Sequence, residues 1–322
     1  MKKVFCIVGP TGVGKTEVAI ELAKKYDLDI ISADSRQIYK YMDIGTAKPR
    51  LVDGNWQIAF GNSVRFHLID IISPDILYSA ADYARDCKKV IDELIENKRR
   101  LAPPLRAGAG FILVGGSGLY LKALFQPFFE APSRDLKLRR SLEKEPLEKL
   151  YDKLKLVDPI SAGRINSQDR QRIIRALELY QTTRKPMSEQ IKQKHPQSEF
   201  SPYYVSLTMP RKILYEKINR RFDKMIDDGL VDEVKNLLRL GYTKECNAMN
   251  GIGYQEIIRF LEGEISLMQA IYLAKNRSRQ YAKRQMTWFR KVEGIKWIEV
   301  TNLNETFEKI DYYYQKFIIS NN

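Results

Sequence analysis

Over the first 130 residues, short apolar runs alternate with amphipathic stretches. KVFCIV at 3–8 is continuous and rich in β-branched and aromatic residues, which predicts a buried strand. After a glycine-rich turn, EVAIELAKKY sets Val18, Leu22 and Lys25/Tyr26 at helical spacing. DIISA, ending before Asp34, predicts a second strand, HLIDII at 67–72 a third, and FILVGG from Phe111 a fourth. Between the last two, residues 79–97 place Tyr83, Cys87, Val90, Ile91, Leu94 and Ile95 on one helical face. Strand, helix and strand in alternation predict an α/β fold, a parallel sheet with helices on both faces.

The pattern changes near residue 130. From Arg134 to Lys194 no strand pattern is found; helical segments are expected near 135–155 and 168–181, broken by Asp158-Pro159 and Lys185-Pro186. This stretch holds 16 Lys/Arg against 9 Asp/Glu. YVSLTM at 204–209 predicts a last strand, followed by helices near 211–227, 230–239, 254–261 and 266–290. The expected organisation is a core of residues 1–130 with 200–322, interrupted by a small all-helical domain at 131–199. LAPPLRAGAG at 101–110 reads as an exposed loop.

Charge sharpens this picture. A net charge of +14 favours a polyanionic partner. The three cysteines lie far apart with no C-x-x-C pair, and there are only two histidines, His67 and His195, so neither a zinc site nor a disulfide framework is expected. No run approaches the roughly 20 apolar residues of a membrane span. The apolar run Val4–Val8 is too short for a signal sequence, and a cytoplasmic protein is expected.

The turn Gly9-Pro10-Thr11-Gly12-Val13-Gly14-Lys15-Thr16 matches G-x-x-x-x-G-K-[ST] between a strand and a helix. Such a loop wraps its backbone N–H groups around phosphate oxygens at a helix start. Lys15 adds a cation, and Thr16 offers a hydroxyl to a phosphate-bound Mg²⁺. A kinase or NTPase is one reading, but the 111–114 strand ends in Gly115-Gly116-Ser117 with no carboxylate to hold a metal or position water. The first acid at a strand end is Asp34. It faces the same crevice as Lys15 if the sheet is doubly wound, either as a metal partner or as a general base; alternatively it only caps a helix.

GPTGVGKT, DSRQIYKYMDIGTAKP at 34–49, HLIDI at 67–71, GGSGLYLKAL at 115–124, QDRQRIIRALE at 168–178, RF at 221–222, GLVDEV at 229–234 and YAKRQMTWFR at 281–290 occur in this order along the chain. Together they resemble the tRNA dimethylallyltransferase (tRNA isopentenyltransferase) family. The resemblance implies a P-loop-type sheet with an inserted helical domain that grips tRNA. It implies dimethylallyl diphosphate as donor, held by residues 9–16, and N6 of adenine 37 in the tRNA anticodon stem-loop as acceptor. Asp34 would be the base, and Thr16, Lys15 and Arg221 would assist the diphosphate leaving group, with Mg²⁺ at Thr16. Asp34, Ser35, Arg36, Gln37, Ser117, Gln168, Asp169, Arg170, Gln171 and Arg172 would contact tRNA. Ser117 stands where the family commonly has Thr, and residues 51–66 and 99–110 look unusual for it.

The residue chemistry agrees with this reading. The exocyclic amine of adenine is a poor nucleophile, and a carboxylate that takes its proton improves it. The departing diphosphate needs preorganised donors. Arg221 borders the helical stripe Leu214, Ile218, Phe222. Gln168, Arg172 and Arg175 would form one polar helical stripe. Residues 275–291 carry seven Lys/Arg, no acid, and Tyr281, Trp288 and Phe289, a pattern that suits either single-stranded nucleic acid or a basic helix with core aromatics. The rival functions are transfer to free adenine nucleotides, a P-loop kinase or NTPase, and an inert RNA-binding protein. No obligate protein partner is evident.

Overall fold

The N-terminal apolar run forms β1 (Lys2–Val8), buried from Val4 onward. The structure, a computed structural model, describes residues 1–52, 55–57, 64–101, 110–127, 129, 132, 135–193 and 197–320. After β1 come α1 (Lys15–Tyr26), β2 (Asp29–Ala33), the short antiparallel pair β3 (Arg50–Val52) and β4 (Asn55–Gln57), β5 (Phe66–His67), α2 (Ala80–Leu101), β6 (Phe111–Gly115) and α3 (Gly118–Phe125). Four short helices follow, α4 (Leu136–Glu143), α5 (Leu147–Val157), α6 (Pro159–Arg164) and, after α7 (Arg170–Thr183), α8 (Met187–Lys192). The chain ends with β7 (Phe200–Thr208), α9 (Arg211–Asp227), α10 (Leu230–Arg239), α11 (Tyr254–Leu261), α12 (Leu267–Phe289), β8 (Lys296–Glu299) and α13 (Leu303–Ile319). Among the described residues no helix is long and apolar enough to cross a membrane. The loop expected at 101–110 and the segment 51–66 lie largely outside the described residues.

Six strands form one sheet in the order β5-β2-β6-β1-β7-β8, and every pairing is parallel. β6 therefore separates β1 from β2. Three strand ends stand side by side: β1 leading into the phosphate loop, β6 into Gly116-Ser117, and β2 into Asp34. This is where an open α/β sheet binds its ligands. The sheet core gathers Phe5, Ile7, Leu22, Val205 and Tyr314, with Phe5 edge-on to Tyr314 at 5.0 Å. A second core packs Ile38, Tyr39 and Met42 against Phe222, Leu230, Tyr254 and Ala274.

Two compact units result, Met1–Phe125 with Ser198–Asn322, and Gln126–Gln197. The smaller has its own core of Leu142, Leu150, Leu154, Ile173, Ile174 and Leu177. In it, buried Glu178 receives Arg175 at 2.9 Å and the Asp135 backbone N–H at 2.8 Å.

Several elements depart from the sequence pattern. HLIDII reads as a strand over 67–72, but only Phe66–His67 joins the sheet, and Ile72 makes an isolated parallel bridge to Tyr39, because Leu68 and Asp70 adopt φ of 60° and 55°, which a strand cannot contain. The helix read over 135–155 is two, since Pro146 lacks the N–H to continue α4 into α5. The helix read from 168 begins at Arg170, because Asp169 takes the N-cap and accepts the Arg172 N–H at 3.1 Å. Gln168 thus precedes the helix and does not share a helical stripe with Arg172 and Arg175. β8 and α13 are additions to the elements the sequence pattern indicates.

Candidate functional site

The phosphate loop is built by close backbone approach. Gly9 has φ 141°, and a Cβ there would meet the Leu207 carbonyl oxygen at 2.6 Å, so only glycine fits beside β7. Gly14, at φ 99°, starts α1 with no side-chain cap. The free N–H groups at the start of that helix therefore point into the loop, where an anion would sit. Lys15 Nζ donates to the Pro10 carbonyl at 2.8 Å, curling its ammonium back over the loop. Burial pulls this ammonium down to about 8, against the field of Asp34; Arg221 adds to the fall and Glu17 resists it. The Thr16 hydroxyl is half-buried and takes no partner among the described residues.

Asp34 follows β2. Its Oδ1 accepts the Arg36 backbone N–H at 2.8 Å, an Asx turn that leaves Oδ2 without a partner among the described residues. The turn is held from β6: Ser117 N–H donates to the Ala33 carbonyl at 3.2 Å, and Ser117 Oγ accepts the Ser35 N–H at 3.0 Å. Burial, with Asp34 next, pushes the Tyr281 phenol up to about 12, and the neighbouring Ser117 hydroxyl opposes the rise.

Arg221 enters from α9. Its Nη1 donates to Thr11 Oγ1 at 3.3 Å. Burial pulls the guanidinium below its ordinary value, while Asp34 and then Glu17 resist. The site therefore sets two cations, Lys15 and Arg221, within the field of Asp34 and, after it, Glu17. Such an arrangement can stabilise negative charge on one side and accept a proton on the other. Among the described residues no cluster of three His, Cys, Asp or Glu could hold a metal alone. A hydroxyl beside a phosphate cradle fits Mg²⁺ that takes its remaining ligands from phosphate and water.

Helix α12 forms the wall behind these turns. Gln285 bonds the Thr11 N–H and the Gly116 carbonyl. The Trp288 indole packs on Gly118, where a Cβ would come within 2.5 Å of the ring, and meets Phe289 edge-on at 4.9 Å. The fully buried Phe289 is thus a core aromatic, and the half-buried Trp288 packs against Gly118.

The remaining segment residues brace the loop after Asp34. Arg36 Nη1 donates to the Asn247 carbonyl at 2.7 Å. Gln37 accepts from Ser32 Oγ at 3.1 Å and donates to the Thr46 and Ala47 carbonyls, each at 3.3 Å. Buried Lys48 joins the Tyr39 carbonyl at 2.6 Å, Asp43 at 2.7 Å and Asp70. Burial raises Asp70 above the ordinary carboxyl range, and Lys48 opposes it. Glu233 accepts the N–H groups of Asp43, Ile44 and Gly45 at 2.8, 2.6 and 3.1 Å, and the Tyr254 hydroxyl at 2.6 Å. Sequence reasoning gave none of Lys48, Asp70, Glu233 and Gln285 a role. The available signal was a charged or amide residue inside each quoted motif.

In the smaller unit, Arg170 donates to the Glu143 and Glu145 carbonyls at 3.1 and 2.9 Å, closing the α4–α5 turn. Gln171 accepts from Arg139. Gln168 and Arg172 are exposed, and among the described residues Arg172 reaches only its own cap Asp169, at 3.3 Å.

Comparison with known proteins bears on what this crevice does. The family model described as IPP transferase matches residues 37–292. The chain is 45% identical over 319 residues to the tRNA dimethylallyltransferase of Carboxydothermus hydrogenoformans, covering 96% of this chain and 95% of that one. It is 44% identical over 303 residues to "tRNA dimethylallyltransferase 2" of Geotalea daltonii, covering 92% and 87%. Among solved structures, the full-length tRNA isopentenylpyrophosphate transferase of Bacillus halodurans superposes with a TM-score of 0.69 at 33% identity, over 100% of this chain and 98% of that one. A eukaryotic dimethylallyltransferase described as acting on tRNA gives a TM-score of 0.77 at 27% identity, over 100% and 80%.

Proposed function

The chain belongs to the IPP transferase family, and we propose that it transfers the dimethylallyl group from dimethylallyl diphosphate to N6 of adenine 37 in tRNA. The observation that carries this is the convergence of Lys15, Arg221 and Asp34 on one crevice beside a phosphate loop. The N6 lone pair attacks C1 of the dimethylallyl group while the C1–O bond breaks, its electron pair leaving with diphosphate. Asp34 takes the N6 proton through its free oxygen. The loop N–H groups, Lys15 and Arg221 meet the charge that develops on the leaving oxygen. Mg²⁺ at Thr16 would supply further charge neutralisation to the diphosphate.

The acceptor base must leave its stack to reach Asp34, which costs little in a single-stranded loop. Ser35, Gln168 and Arg172 offer side chains to the RNA. Arg36, Gln37, Ser117 and Arg170 act mainly by shaping the loops that present them. We place the reaction in the cytoplasm, where its tRNA substrate resides. Incubation with labelled dimethylallyl diphosphate and either unmodified tRNA or AMP tests the proposal. Label should enter tRNA. Label in AMP alone, or in neither, contradicts it.

A further inference from the structure

Gln285 lies on α12 with its side chain 7% exposed. Its Oε1 accepts the Thr11 backbone N–H at 2.8 Å, and its Nε2 donates to the Gly116 carbonyl at 3.0 Å. One amide thus spans two turns from different strand ends. The first turn is the phosphate loop, where Thr11 also receives Arg221. The second is the turn after β6, where the next residue, Ser117, holds the Ser35 N–H and so the turn of Asp34. The chain of contacts runs from Arg221 through Thr11, Gln285, Gly116 and Ser117 to the turn of Asp34.

The chemistry of the position demands an amide. It must accept from an N–H and donate to a carbonyl from one planar group. A carboxylate does only the first, and a hydrocarbon neither. The Thr11 N–H is also spent on Gln285, so phosphate is left to the N–H groups further along the loop. Transfer requires donor carbon and acceptor nitrogen at near-attack distance, and a misplacement of about 1 Å can cost roughly 100-fold.

We infer that Gln285 is a positioning residue for the transfer, fixing the diphosphate cradle against the turn that carries Asp34. The inference rests on the function proposed above. Gly116 allows the same link to be cut from its other end, because a Cβ there would come within 2.2 Å of Gln285 Nε2.

The test compares wild type, Gln285→Leu, Gly116→Ala and the double variant. Single-turnover transfer is measured with saturating dimethylallyl diphosphate and tRNA, together with the Kd for inorganic pyrophosphate. Each single variant should transfer about 10- to 100-fold more slowly, with the pyrophosphate Kd changed by less than about threefold. The double variant should be no slower than the worse single, since both cut one link. If Gln285→Leu does not fold, Gly116→Ala decides alone. Folded variants that transfer within about threefold of wild type, losses that multiply in the double, or a loss confined to pyrophosphate affinity overturn the inference. A wild-type protein that labels no tRNA overturns the proposed function itself, and the positioning role with it.

Discussion

The Arg221 guanidinium donates to the Thr11 hydroxyl at 3.3 Å, joining residues 210 apart in the chain. The contact places a cation from α9 at the rim of a loop that follows β1. That helix is anchored beneath by Leu214, Ile218 and Phe222, all buried. The guanidinium is therefore aimed by packing, and in the proposed reaction it would need no rearrangement to meet charge on the diphosphate.

Arg221→Gln should lower kcat by roughly 10²–10³-fold, the loss expected for a preorganised donor to a developing anion. The fold should persist, because the apolar face of α9 is untouched. Steady-state kinetics with tRNA in excess, alongside a thermal melt, checks this. An unchanged kcat with a normal melt would place Arg221 outside the reaction.

Lys15 gives the site a pH dependence. Its ammonium titrates at about 8 in the folded chain, below the ordinary 10.5. The free protein should therefore lose affinity for pyrophosphate as pH rises through that value, and Lys15→Arg should remove this dependence. Stability moves the opposite way. Between about 8 and 10.5 the unfolded chain holds more protons than the folded one, so this group makes stability rise with pH across that window. Calorimetric pyrophosphate binding across the interval checks the first effect.

Lys48 is fully buried between Asp70 and Asp43. Lys48→Met leaves Asp70 partly buried without its cation and frees the Tyr39 carbonyl. The variant should lose about 2–4 kcal/mol in urea unfolding, somewhat below the range for a fully buried pair because Asp43 is exposed. A loss under about 1 kcal/mol would show that the pair is no more than a surface ion pair.

Much of the candidate crevice was legible in the sequence, because its signals are local. The phosphate loop is one continuous turn between a strand and a helix, and Asp34 ends an apolar run. What braces them was not legible. Gln285 reaches Thr11 across 274 residues and Glu233 reaches Asp43 across 190. No periodicity records such contacts. β8 buries only Ile298 of its four residues, too little for an apolar pattern. HLIDII misled because a short run rich in β-branched residues suits a strand, whereas the ion pair of Asp70 with Lys48 accompanies left-handed backbone at Leu68 and Asp70.

In the smaller unit, two neighbouring arginines should behave differently. Arg172 is exposed, so Arg172→Glu should weaken tRNA binding while leaving stability and pyrophosphate binding near wild type. Its affinity should also fall less steeply with salt. Arg170 closes the α4–α5 turn, so Arg170→Ala should destabilise by about 1–3 kcal/mol. Filter binding across a salt series, with a melt of each variant, separates the two. Equal tRNA affinity for Arg172→Glu and wild type would remove this face from the interface.

The most direct measurement is single-turnover transfer to unmodified tRNA by the Asp34→Asn variant. Asn is nearly isosteric, and its amide oxygen can still accept the Arg36 N–H, so the turn should survive. The position that takes the N6 proton then becomes an NH2 group, which can neither accept from N6–H nor take the proton, so saturating tRNA is used to keep the acceptor bound. With saturating tRNA and dimethylallyl diphosphate, the rate should fall by roughly 10²–10⁴-fold, the usual contribution of a general base. A rate within about threefold of wild type, far short of a lost base, would mean that Asp34 only shapes its turn and that the proton leaves by another route.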